Sequence, residues 1–189
     1  QKQVFRYVTQ AATPRKVGIL LMMQMGLRIG EVCGLQWQDF DLDKGILSVR
    51  RTVKRIYVEN QRTKVVVQSP KTATSERAIP IPRKVLSLVH QLHNSQSPHT
   101  WFLSSQEAKP VEPRCYSKSI HCYLKHAQVS SVHPHALRHT FATTCLQNGC
   151  NVKTLSEIMG HASSDITMKL YVHTCWEWKR AEIERIFNN

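Results

Sequence analysis

The stretch Ile46–Val53, ILSVRRTV, decides the fold. β-branched and polar residues interleave there, as in a half-buried strand. Two further runs of this kind follow, Thr63–Gln68 (TKVVVQ) and Arg77–Ile81 (RAIPI). Turn signals near Asn60 and from Thr72 to Ser75 separate the three, so a small antiparallel sheet is expected. The pattern is helical on both sides. Upstream, Thr13 reads as an N-cap with Pro14 at the first helical position. That helix runs to about Met25, with Val17, Leu20, Leu21 and Met25 on its apolar face, and Gly26 ends it. A short helix from Gly30 to Cys33 follows, closed by Gly34. Downstream, helices are expected at Pro82–His93, Ser117–Gln128, Pro134–Asn148 and Asn151–Met159. Another, capped by Ser163 or Ser164, carries Tyr171, and a last one spans Trp176–Phe187. The order is helices, sheet, helices. It implies an α+β domain, mainly α-helical, with helices around a small three-stranded antiparallel sheet and no βαβ alternation.

The chain has 189 residues, 41% apolar and 21% charged. That composition is globular and excludes a disordered chain. The longest apolar-rich run, Val17–Leu27, is interrupted by Gly18, Gln24 and Gly26. It is shorter than the roughly 20 residues a bilayer span needs, so no membrane role is expected. No signal peptide opens the sequence, and the first methionine is Met22, so the chain is expected to begin inside a longer protein. The six cysteines form no C-x-x-C pair and match no common zinc spacing, and they read as free thiols of a reducing cytoplasm.

Charge is more informative. The net charge is +13, and the segment from Arg50 to Lys84 holds ten Lys and Arg against Glu59 and Glu76. Such an excess on one sheet and its turns points to a polyanion partner, nucleic acid first.

Four pieces carry candidate chemistry. GLRIGE (Gly26–Glu31) puts Arg28 at the join between two helices. Lys71 lies in the basic hairpin SPKTATSER. HPHALRHTFAT (His133–Thr143) sets His135 and Arg138 at i and i+3, on one helix face. GHASSDITMKLY (Gly160–Tyr171) places His161 after a helix-ending glycine, ten residues before Tyr171. Each piece alone more often serves packing or capping than catalysis. A zinc reading exists for His133, His135 and His139, but no HExxH motif completes it. A DNA-binding module without catalysis would explain the basic sheet but not Tyr171.

Together and in this order, the pieces resemble the catalytic domain of the tyrosine recombinases, the phage-integrase family. The resemblance spans roughly Thr13 to Tyr171 and looks most like integrases of conjugative transposons. Type IB topoisomerases share the chemistry, and the terminal helix favours the recombinase. The resemblance implies six catalytic positions: Arg28, Lys71, His135, Arg138, His161 and Tyr171. Glu31 falls on a supporting acidic position. Lys71 is the least anchored of these, with Lys64 the fallback. His133 departs from the family, where Thr or Ser often precedes Pro-His.

The implied reaction is DNA strand cleavage and rejoining through a 3′-phosphotyrosyl intermediate and a Holliday junction, for excision and integration of a mobile element. No metal, ATP or other cofactor is implied. Arg50, Arg51, Lys54, Lys64 and Arg77 are the expected DNA contacts. Residues 1–175 are expected to form the catalytic domain, with 1–12 the remainder of a linker or first helix. Residues 176–189 form a tail for assembly of a homotetramer on DNA. The remaining expectations are an accessory excision factor as a possible partner and a cytoplasmic location.

Overall fold

A computed structural model describes residues 1–58, 62–69, 76–93, 96–130 and 132–161, together with Arg180, Ile183, Glu184, Ile186 and Phe187. The central element is helix α2 (Pro14–Met25). The Thr13 side chain accepts the Lys16 N–H at 3.3 Å and starts it. Gly26 ends it at φ +69°, a left-handed turn that glycine enters without a Cβ penalty. Val17 through Met23 are all buried, so α2 is apolar on every side and sits inside a shell of helices. Helix α1 (Lys2–Gln10) lies on its N-terminal side. Helices α3 (Ile29–Cys33), α4 (Arg83–Leu92), α5 (Pro113–His126) and α6 (Pro134–Gln147) pack around it. Tyr116 of α5 is fully buried and donates its hydroxyl to the Arg15 carbonyl at 2.7 Å, pinning α5 to the start of α2. Helix α5 begins at Pro113, ahead of the expected Ser117, because proline is pre-organised for the first helical position.

The sheet region differs from the expectation in one respect. Strands β1 (Phe40–Asp41), β2 (Ile46–Val49) and β5 (Arg77–Pro80) form an antiparallel sheet in the order β1-β2-β5, with Leu47 opposite Ile79. Strands β3 (Thr52–Tyr57) and β4 (Thr63–Gln68) form a separate ribbon, Thr52 opposite Gln68 and Tyr57 opposite Thr63. The single run Ile46–Val53 therefore breaks at Arg50–Arg51. The cause is local. Asp39 is buried and needs a cation, and Arg51 turns inward to it at 2.6 Å while its Nε donates to the Gly34 carbonyl at 3.2 Å. That contact takes the chain out of the first ladder and starts the second.

Helix α7 (Val152–Met159) closes the described body. The Asn151 side chain caps its start by accepting the Lys153 N–H at 2.8 Å. Leu155 and Met159 pack with Phe141, Ala142 and Leu146 of α6 in a second, smaller core. At the other end Gly160 adopts φ +62°, and the His161 N–H returns to the Ser156 carbonyl at 3.1 Å. This closure fixes where His161 leaves the helix. The five described cysteines, Cys33, Cys115, Cys122, Cys145 and Cys150, are free thiols, as expected. Among the described residues no helix is long and apolar enough to cross a membrane.

Candidate active site

The C-terminal turn of an α-helix leaves backbone carbonyls without partners and carries the negative end of the helix dipole. In α7 those carbonyls gather three guanidiniums. Arg77 Nε donates to Ile158 O at 2.6 Å. Arg28 Nη1 donates to Met159 O at 3.3 Å and its Nη2 to Gly160 O at 3.1 Å. Arg138 Nη2 donates to Met159 O at 2.8 Å, and its Nη1 donates to Gly26 O, the last carbonyl before the bend that carries Arg28.

The Glu31 carboxylate offsets this charge. Glu31, buried in α3, accepts the Arg28 backbone N–H at 2.8 Å and Arg28 Nη1 at 2.9 Å. It also accepts Arg77 Nη1 and Nη2, each at 3.0 Å, in a two-pronged pair. Burial pushes the Glu31 carboxyl upward, but the Arg77 bonds and charge and then Arg28 outweigh it, and the net shift is downward. Glu31 is therefore a carboxylate at neutral pH.

His161 stands at the same place. Arg138 Nη2 lies 2.8 Å from His161 Nε2. A guanidinium can only donate, so Nε2 accepts and the ring proton sits on Nδ1. Burial, then the charges of Arg138, Arg28 and Arg77, lower its pKa to about 4. Arg138 itself is pulled to about 9, first by burial and then by Arg28. His135, in the first turn of α6, lies on the exposed side of that helix, while Arg138 is buried. Its ring stacks on His133 with centroids 5.7 Å apart. Its pKa is lowered by burial and by neighbouring His133 and Arg138.

Arg28 and His135 both line an open cleft of about 430 Å³, whose other walls include Lys54 and Arg55 of β3 and Arg114 of α5. Of the lining residues, Arg55 pairs with Glu112 at 2.7 and 2.8 Å. Arg28 is 37% exposed, so it faces this opening while still anchored to α7.

The structure thus gathers Arg28, Glu31, Arg138 and His161, with His135 on the same cleft. Lys71 and Tyr171 lie outside the described residues, as does Trp176. Of the expected DNA contacts, Arg50, Lys54 and Lys64 keep surface exposure. Two are placed otherwise. Arg51 is held by Asp39, and Arg77, 7% exposed, is spent on Glu31 and α7. The sequence carries one partial hint for Arg77. At the period of two it shares a strand face with Ile79, which is buried.

The phage integrase family model matches residues 2–176, and the chain belongs to this family. Among curated proteins it is similar to "Tyrosine recombinase XerC-like" of Caldanaerobacter subterraneus subsp. tengcongensis, 29% identical over 189 residues. That match covers 90% of this chain and 48% of the relative. It is also similar to "Tyrosine recombinase XerC" of Myxococcus xanthus, 32% identical over 155 residues, covering 80% of this chain and 47% of the relative. The chain spans about half the length of these curated relatives. Among solved structures, the Tn1549 transposon integrase in complex with transposon right end DNA superposes with a TM-score of 0.76. It is 25% identical and covers 97% of this chain and 63% of that one.

Proposed function

We propose that this chain is the strand-cleaving domain of a site-specific DNA recombinase serving excision and integration of a mobile element. One observation carries the proposal: two guanidiniums, Arg28 and Arg138, and the imidazole of His161 meet at the end of α7 beside an open, basic cleft. Such a cluster suits the non-bridging oxygens of a phosphodiester, whose negative charge rises as phosphorus becomes five-coordinate.

In this reading the Tyr171 oxygen attacks the phosphorus and forms the 3′-phosphotyrosyl bond while the bond to the 5′-oxygen breaks. His135 takes the tyrosine proton, and Lys71 gives a proton to the leaving 5′-oxygen. His161 and the two arginines stabilise the phosphorane. Rejoining reverses the steps with a hydroxyl from another strand, so the linkage energy is retained and the scheme requires neither ATP nor a metal. Arg50, Lys54 and Lys64 contact backbone phosphates, which position the duplex without reading sequence. The likeness to an integrase solved in complex with transposon right end DNA supports double-stranded DNA as the partner.

Exchange of strands through a Holliday junction requires four protomers. Residues 1–175 form the catalytic unit and residues 176–189 the joining segment. Ile183, Ile186 and Phe187 are 58%, 54% and 73% exposed, which supports a face awaiting a neighbouring protomer.

The test is a nicked suicide substrate that traps the covalent intermediate, followed by peptide mapping of the adduct. A DNA-linked peptide containing Tyr171 is expected. An adduct on another residue, or none, would overturn the proposal.

A further inference from the structure

Arg77 is the one buried cation of the cluster that the reaction scheme leaves without a task. Its three described donors reach two other elements. Two hold both oxygens of Glu31 in α3, and the third holds Ile158 O at the end of α7. Each acceptor leads directly to a candidate catalytic group. Glu31 holds Arg28 by its backbone N–H and by Nη1. Ile158 precedes Met159, whose carbonyl receives both Arg28 and Arg138, and it sits three residues before His161. The guanidinium also lies flush against the turn. A Cβ on Gly160 would come within 2.9 Å of Arg77 Nη1. Strand β5 gives Arg77 a rigid base, since Ile79 is buried opposite Leu47 in the sheet.

We infer that Arg77 is a positioning residue of the strand-cleaving centre: it clamps Glu31 to the end of α7, and so sets Arg28 and His161 in one register. The role rests on the reading of these groups as phosphate-binding. A lysine cannot replace the clamp, because an ammonium lacks the fork that spans both carboxylate oxygens while a third donor reaches a carbonyl. Without Arg77, Glu31 loses its tie to the end of α7, Arg28 is no longer held in register with His161, and the last turn of α7 loses a cap.

The experiment compares unsubstituted protein, Arg77→Met and Arg77→Lys on the suicide substrate, with DNA affinity measured across a salt series. A displacement of catalytic groups by about 1 Å slows single-turnover cleavage by about 10²-fold, the expected loss in Arg77→Met, with affinity and salt dependence unchanged. Loss of a direct phosphate contact would instead lower the salt slope by about 1 and weaken binding across all sequences, and that result overturns the role. Arg77→Lys keeps the charge and covers a failure of Arg77→Met to fold; it is expected to slow cleavage when rates are corrected to equal folded fraction.

A pH profile separates positioning from folding. Among the described residues, the groups facing Glu31 are Arg28, Arg77, Arg138 and His161. With Arg77 gone, Glu31 takes up a proton more readily and releases Arg28 when it does. Cleavage by Arg77→Met should therefore recover as pH rises, and adding Glu31→Gln should remove that recovery. Profiles that run parallel in the single and double variants overturn the role. An adduct from the unsubstituted protein with an equally fast Arg77→Met overturns only the role. No adduct from the unsubstituted protein overturns the strand-cleaving reading together with the role built on it.

Discussion

Arg28 and Arg138 donate to the same oxygen, the Met159 carbonyl, at 3.3 and 2.8 Å. Two like charges share an acceptor there because the helix end is a partial anion and Glu31 supplies a full one beside it. The arrangement is pre-organised. The guanidiniums are oriented by backbone carbonyls of the folded chain, so in the proposed reaction little reorganisation is needed when a phosphate arrives.

Arg138→Lys should slow cleavage by about 10²–10³-fold, the cost of losing one preorganised donor set at a developing oxyanion. Arg138→Ala should add a stability defect of about 1–3 kcal/mol, because Gly26 O and Met159 O lose a buried donor. Single-turnover cleavage and urea melts read the two effects separately.

Tyr171→Phe should abolish covalent capture of DNA while leaving affinity within about twofold, since only the hydroxyl is removed and phosphate contacts dominate binding. A denaturing gel reads the adduct, and a filter or mobility assay reads affinity.

Gly160→Ala should harm both stability and cleavage. A left-handed backbone costs an L-residue about 1–2 kcal/mol, and Gly160 sits at φ +62°. The new methyl also meets Arg77 Nη1 at 2.9 Å, so the turn that presents His161 must shift. Denaturant melts should show the first effect, and cleavage corrected to equal folded fraction the second.

Acidification should destabilise the protein through His161. Its folded pKa, about 4, lies below its ordinary 6.5, because burial and then the nearby guanidiniums disfavour the imidazolium. Between those values the unfolded chain binds more protons than the folded one, so stability falls as pH drops from about 6.5 towards 4. Above 6.5 the contribution is fully present. His161→Gln should flatten the pH dependence of unfolding free energy in this window. Glu31, also depressed, adds its loss at lower pH, below its ordinary 4.5.

EDTA should leave cleavage unchanged, because side chains supply the cations of the proposed scheme. Among the described residues no three His, Cys, Asp or Glu side chains are grouped to hold a metal. Inhibition by EDTA that zinc reverses would revive a metal role for His133, His135 and His139.

Local signals dictated most of the elements. Thr13-Pro14, Gly26, Asn151 and Gly160 punctuate helices through caps that act within a few residues, so α2 and α7 were legible where they stand. The i, i+3 spacing of His135 and Arg138 predicted one shared helix face, whereas the structure leaves His135 exposed and buries Arg138. Long-range pairing decided the rest. Whether Ile46–Val53 is one strand or two depended on Asp39 finding Arg51 across the chain. Whether a sheet arginine faces DNA or the interior depended on Glu31 and the Ile158 carbonyl being brought to Arg77. A basic residue in a strand carries the same charge on either face. Only the packed structure supplies the buried carboxylate and the free helix carbonyls that make the inward face the lower in energy.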